Sequence, residues 1–270
     1  MIFGIDICDI IKVLFRLKMK SFLTVHMSLA GILGTLSVAS ALAFAQGPNP
    51  SAAASADPNL TATQIVTEMQ GHNEARAAEL KHFHSVRHYS VEYKGYAAKI
   101  AAQMEVDTDY EAGVGKTFRI VSQSGSKLLI DKVLKRLLES ETDAQNHHAS
   151  DLTSANYSFQ LTGMEKVAGR AAYVLEVEPL TDNKYLYRGK IWVDAVDFAL
   201  ARIEAAPAKN PSFWISSTAI HHKYTKTGDF WLPAQNESDT EVRVGGKAVL
   251  RIDYGTYEVA PPAAMVAGGN

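Results

Sequence analysis

From residue 155 onward the chain alternates apolar and polar residues with a period of two, interrupted at short intervals by turn signals. Tyr173, Leu175 and Val177 alternate with Glu176 and Glu178, and residues 157–167, 185–193, 198–204, 213–224, 230–244 and 247–259 also read as strands. Ala168-Gly169, Asp194-Ala195-Val196-Asp197, Thr227-Gly228-Asp229 and Gly245-Gly246 separate them. A period of two puts successive side chains on opposite faces of an extended strand. Short turns force sequential neighbours to run antiparallel, and Gly245-Gly246 suits a two-residue hairpin whose primed turn needs positive φ. The expected product is one large meandering antiparallel sheet. Such a sheet must close, curl or be covered to hide its apolar face.

The preceding segment supplies the cover. Thr61 with Gln64 three residues on forms a capping-box pattern, opening a helix to about residue 80 with Ile65, Val66 and Met69 on its apolar face. Gly71 weakens its middle. Tyr89, Val91 and Tyr93, then Met104, Val106 and Thr108, alternate with polar residues as two half-buried strands, and residues 118–121 read as a third. Ser126 begins a second helix, on which Leu129, Ile130, Val133, Leu134, Leu137 and Leu138 fall on one stripe opposite Lys132, Lys135 and Arg136. Polar residues 139–150 prolong it or form a loop. The fold expected is β-rich α+β. A leucine-rich helix against the concave side of a curled sheet makes an apolar ligand cavity.

Arg16, Lys18 and Lys20 precede an apolar run over residues 22–45 that ends Ala43-Phe44-Ala45. A basic region, an apolar core and a small-x-small end define a secretory signal peptide cut before Gln46. Met19 offers a second start, so residues 1–18 read as an over-extended beginning or as an unusual basic region of the leader. The rival is an uncleaved anchor, since the run is long enough to span a bilayer, although serines, threonines, glycines and His26 dilute it. Residues 46–59, rich in Pro, Ala and Ser, read as a flexible linker, residues 60–259 as one domain and residues 260–270 as a disordered tail. Cys8 is the sole cysteine. The exported chain therefore has no disulfide and no thiolate, which suits a bacterial periplasm. No cysteine follows the apolar run to carry a lipid. The 27 basic and 29 acidic residues become 23 and 27 without the leader, a balance that excludes a basic footprint for nucleic acid.

Candidate chemistry is sparse. Gly113-Val114-Gly115-Lys116-Thr117 ends like a phosphate-binding loop, but Tyr110 stands where its first glycine belongs and a strand follows. It reads as a tight strand connection. His82 and His84 share a strand face without a third ligand at a recognised spacing, and His221 and His222 point to opposite faces. Glu105, Asp107 and Asp109, like Glu176 and Glu178, fit the solvated side of a sheet better than an acid–base pair. No serine lies in a Gly-x-Ser-x-Gly elbow. No catalytic residue, metal site or cofactor is expected. The aromatics Trp192, Phe213, Trp214, Phe230 and Trp231 sit on or beside the C-terminal strands, as sheet packing or as ligand contacts.

Gly169-x-x-x-Tyr173-x-Leu175-x-Val177-x-Pro179, then Gly189-Lys190-Ile191-Trp192-Val193-Asp194 with Leu200-Ala201-Arg202-Ile203, then Phe230-Trp231-Leu232-Pro233, resemble in that order the LolA-like group. That group includes periplasmic lipoprotein carriers and the related RseB/MucB stress-sensor domains. The resemblance spans roughly residues 60–259 and implies an open antiparallel half-barrel with helices covering its concave face. It further implies a periplasmic protein that binds lipid or lipoprotein acyl chains without catalysis, with an outer-membrane receptor or envelope protein as partner and transient membrane contact. One departure is clear: the carriers' basic residue followed by Pro is missing, and Lys116-Thr117-Phe118-Arg119 is the nearest segment, so no role passes to Arg119. The ligand-binding residues expected are Leu134, Leu137 and Leu138 on the helix lid and Trp192, Trp214 and Trp231 on the sheet wall. The alternatives are a sensor or interaction module on the same fold and an exported hydrolase.

Overall fold

The structure is a computed structural model and describes residues 57, 59–95, 99–142, 151–210, 213–243 and 245–259. The leader, nearly all of the linker, residues 143–150 and the tail from 260 lie outside the described residues. Helix α1 spans Ala62–Glu79. Strands β1 (His82–Lys94), β2 (Lys99–Glu111) and β3 (Gly115–Gly125) follow. Helix α2 comprises Lys127–Leu129, a π-helical turn Ile130–Leu134, and Lys135–Thr142. Then come β4 (Tyr157–Val167), β5 (Arg170–Pro179), β6 (Tyr187–Asp194), β7 (Leu200–Pro207), β8 (Ile215–Thr227), β9 (Phe230–Val242), β10 (Lys247–Tyr254) and a short β11 (Glu258–Val259).

The strands form one open, curved antiparallel sheet of 11 strands in the order β3-β2-β1-β10-β9-β8-β7-β6-β5-β4, with β11 against β1. Strands β4 to β10 are the expected meander. The join of β1 to β10 is not sequential: Tyr89 faces Ile252 and Val91 faces Leu250. As a result β3 and β4, consecutive along the chain, are the two opposite edges, and the segment that carries α2 connects one edge to the other.

Register shows which face is buried. A single cross-strand row runs Met104, Tyr89, Ile252, Asn236, His222, Ile203, Ile191, Leu175, Leu161. Both helices pack on the face this row defines. Leu129, Leu134, Leu137 and Leu138 of α2 cluster with Tyr89, Val91, Met104 and Ile252. Ile65, Val66 and Met69 of α1 cluster with Tyr157, Tyr173, Leu175 and Ile203. Each fully buried aliphatic side chain contributes roughly 1.5–3 kcal/mol, so these stripes account for where the helices sit. Between the two apolar clusters the row turns polar: Thr218, His222, Asn236, Ser238 and Thr240 are all buried, with Thr218 and Thr240 sharing a hydroxyl hydrogen bond of 3.2 Å.

One local feature departs from the sequence reading. β9 stops at Val242 and β10 begins at Lys247, so Gly245-Gly246 belongs to a longer connection than a two-residue hairpin, although both glycines take positive φ. At the other turn, Gly125 has φ 94° where β3 leaves the sheet for α2, and a side chain there would meet the carbonyl of Ala101 at 2.4 Å. Only glycine permits that close approach.

Candidate functional site: a concave-face cavity with a charged end

A cavity of about 440 Å³ opens at one end of the half-barrel, bounded by the last turns of α1 and α2, the start of β1, the β2–β3 turn and the start of β9. Its volume lies within the ~300–1,000 Å³ typical of small-molecule sites. Leu80, Phe83, Phe230, Trp231, Leu232 and Tyr257 give it apolar walls. Phe83 stacks on Tyr110 at 5.2 Å and meets Tyr257 edge-on at 5.4 Å, which stiffens one side.

The far end is charged. Arg87 points inward from β1, 1% exposed, because it shares the register of Tyr89 and Val91. Its Nη1 donates to Glu141 Oε2 at 2.9 Å, Lys116 Nζ donates to the same oxygen at 3.4 Å, and the Tyr89 hydroxyl donates to Glu141 Oε1 at 3.2 Å. The Arg87 guanidinium also lies over the rings of Tyr254 (5.0 Å) and Phe118 (5.5 Å). Arg87 Nε is buried without a hydrogen-bond partner among the described residues. Burial pushes the Glu141 carboxyl up, but Arg87 and Lys116 overcome it and hold the acid below its usual range. For Lys116 burial wins over the pull of Glu141, with the Arg87 charge adding to it, and the ammonium falls from 10.5 to about 7. Removing one partner of such a buried ion group costs several kcal/mol, since another charge is left unpaired.

A second polar group fixes the cavity's rim. Asp197, in the β6–β7 turn, accepts from Trp231 Nε1 (2.9 Å), Lys226 Nζ (2.8 Å) and Arg170 Nη2 (2.9 Å). Arg76 in the last turn of α1 donates to the carbonyls of Asp197 (2.8 Å) and Phe198 (3.2 Å). These bonds orient Trp231 and tie the helix end to the strand turns.

The residues named from sequence are dispersed. Trp231 lines the cavity. Leu134, Leu137 and Leu138 are buried between α2 and β1, β2 and β10, and none of them borders the cavity; the helix reaches it through Glu141. Trp192 lies on the opposite face of the sheet, packed with Ala172 and Val174, with Arg202 over its ring at 4.1 Å and Nε1 donating to Glu165 at 2.9 Å. Trp214 precedes β8 at the other end of that strand, edge-on to the exposed Phe213 at 5.4 Å. The carboxylates of β2 lie on the outer face, where Asp107 is bonded by His84 and Arg119. Among the described residues no group of His, Asp and Glu is placed to hold a metal ion, and no helix is long and apolar enough to cross a membrane. Residues 115–125 continue directly as β3 after the glycine turn, which makes Lys116 a strand residue facing the cavity.

Residues 117–205 match the family model of the MucB/RseB N-terminal domain. That stretch holds two of the three motif segments on which the LolA-like resemblance rests, those between Gly169 and Ile203. Among solved structures the chain is similar to a DUF1329 family protein from Desulfovibrio piger at 12% identity, covering 78% of this chain and 95% of that one, with a TM-score of 0.36. It is similar to an outer membrane lipoprotein-sorting protein domain from Vibrio parahaemolyticus at 11% identity, covering 75% and 93%, TM-score 0.35. It is similar to a LolA superfamily protein from Nitrosomonas europaea at 11% identity, covering 75% and 94%, TM-score 0.30. No curated protein matches the chain. The family match is confined to residues 117–205, within an open antiparallel sheet that carries two helices on one face.

Proposed function

We propose that this chain is a periplasmic binding protein that takes up an acyl chain or comparable apolar ligand in the concave-face cavity, acting by burial and not by catalysis. The observation that carries this is the cavity itself: about 440 Å³, walled largely by aromatic and aliphatic side chains at the end of an open sheet. Each methylene buried is worth about 0.8 kcal/mol, so even a short chain gains useful affinity. In this reading Trp231 forms part of the wall, and Leu134, Leu137 and Leu138 seat α2 as a lid that shifts to admit the ligand. Trp192 and Trp214 lie away from the cavity and have no part in it. The signal-peptide pattern before Gln46 supports the compartment, and lipoprotein carriage is the finer role favoured. The match to the MucB/RseB N-terminal domain supports a second reading, in which the same trough serves an envelope sensor that reads a partner protein.

The test is what the exported chain carries. Native mass spectrometry with solvent extraction is expected to find lipid at near-stoichiometric amounts, and Trp231→Ala to weaken uptake of a fluorescent fatty acid several-fold. A chain that is empty and refuses the probe would remove the lipid reading and leave protein sensing.

A further inference from the structure

The charges of the molecule are sorted between its two ends. Strand register gathers the β1–β2, β5–β6, β7–β8 and β9–β10 connections at the end away from the cavity: Lys94 faces both Lys99 and Lys247, Val242 faces Ile215, and Pro207 faces Tyr187. Counted from the last residue of one strand to the first of the next, these connections carry Lys94, Lys99, Lys184, Lys209, Arg243 and Lys247 against the single acid Asp182. The strand connections at the cavity end carry Glu111, Asp194, Asp197, Asp229 and Glu258 against the single base Arg170. Exposed apolar side chains accompany the basic end: Phe213 at 74%, Leu180 at 57%, and Leu128 at 38% where α2 begins beside Lys127. We propose that this end docks on the surface of a bilayer rich in anionic phospholipid, with its basic side chains against the head groups and Phe213 and Leu180 reaching the acyl boundary.

The loops concerned are neighbours. Lys184 and Lys209 line one groove between the β5–β6 and β7–β8 loops. The Arg243 amide donates to the Trp214 carbonyl at 2.8 Å, and its guanidinium lies over the Phe213 ring at 5.2 Å. Glu92 and Asp239, set back within β1 and β9, pair with Lys94, Lys99 and Lys247 at 3.2, 3.8 and 3.2 Å. Such exposed pairs are weak, and the basic surplus is concentrated around Phe213. A lone exposed apolar side chain means little. Three of them on separate tips, set among cations, suit a bilayer interface, which each can enter on its own while lysine and arginine stems keep their charges at the head groups. A folded acidic protein would instead need one continuous, closely packed face. Docked in this way, the molecule turns its cavity mouth and its acidic end away from the bilayer. Docking by this end is independent of what the cavity binds.

Vesicle co-sedimentation of the purified chain tests this, with phosphatidylcholine alone and with phosphatidylcholine and phosphatidylglycerol in equal parts. Binding is expected to the mixed vesicles only, and to weaken steeply with added salt. One basic residue near an anionic surface is worth about fivefold in partition, so reversing its charge in Lys209→Glu is expected to lower binding by more than about tenfold. Lys81→Glu makes the same change of net charge beside the cavity and is expected to leave binding within about twofold of the native chain. Phe213→Ser is expected to lower it several-fold while keeping its salt dependence. All three positions are exposed, and circular dichroism checks that each variant folds; should Lys209→Glu not fold, Phe213→Ser and the two vesicle types decide. Equal losses in Lys209→Glu and Lys81→Glu would reduce the effect to net charge and overturn the docking face. Phosphatidylcholine bound as tightly as the mixed vesicles would overturn it as well. A chain that ignores both vesicles would overturn the bilayer, and its salt-sensitive retention on immobilised poly-glutamate would then assign this end to an acidic protein. Each of these outcomes leaves the cavity reading to stand or fall by the solvent extraction above.

Discussion

His222 sits in the polar strip between the two apolar clusters, 6% exposed, beside Asn236, whose amide donates to the Tyr254 hydroxyl at 3.0 Å. Burial pushes its imidazole down from 6.5 to about 4. The unfolded chain therefore binds the extra proton first, and stability rises with pH between about 4 and 6.5. Acidification through that window destabilises the fold. His84, raised chiefly by its hydrogen bond to Asp107, works in the opposite sense, but it lies at the sheet surface where solvent screens it. Thermal melts across the window are expected to show the midpoint falling as pH drops, and His222→Gln to flatten that limb. An equal slope in the variant would assign the acid sensitivity elsewhere.

The helices show how much of the architecture the sequence discloses. α1 begins with the capping box expected: Thr61 Oγ1 accepts from the Gln64 amide at 3.3 Å, and Gln64 Oε1 accepts from the Thr61 amide at 2.9 Å. Thr61→Ala is expected to cost about 1 kcal/mol, measured by denaturant melts. Leu134→Ala, in the interior of α2 at 0% exposure, should cost ~2–5 kcal/mol. Both stripes were legible because burial repeats at helical spacing. The charged end of the cavity was also written in the sequence, but as exceptions to a pattern. Glu141 continues the stripe of Leu134, Leu137 and Leu138 at spacings of seven, four and three, and Arg87 precedes Tyr89 in its inward register. Read alone, each is a surface charge. Only the packed structure brings them together, because the pairing of β1 with β10 and the seat of α2 are non-local. The π-turn over Ile130–Leu134 has no signal in the spacing of the leucines.

At the level of the whole molecule, alternation tells which face a residue takes but not which strand becomes its neighbour. The sequential hairpins were therefore legible and the β1–β10 join was not. That join keeps β1, β10 and β9 away from either edge of the sheet and leaves β3 and β4 as rims exposed along most of their length. Amide hydrogen exchange is expected to be slowest in β1, β10 and β9 and fastest in β3 and β4. Equal protection at the rims would mean that something covers them in solution. The rims also have a covalent relation. The chain leaving β3 reaches β4 only by way of α2, which is seated on β1, β2 and β10. Fluorophores at Ser124 and Ser158, one on each rim, should report a changed separation when Leu137→Asp unseats the helix, and an unchanged one would mean the rims are held by the sheet alone. On the lid reading, a cargo that shifts α2 also moves the one covalent segment that joins the two rims, so occupancy of the trough would be registered at the edges of the sheet.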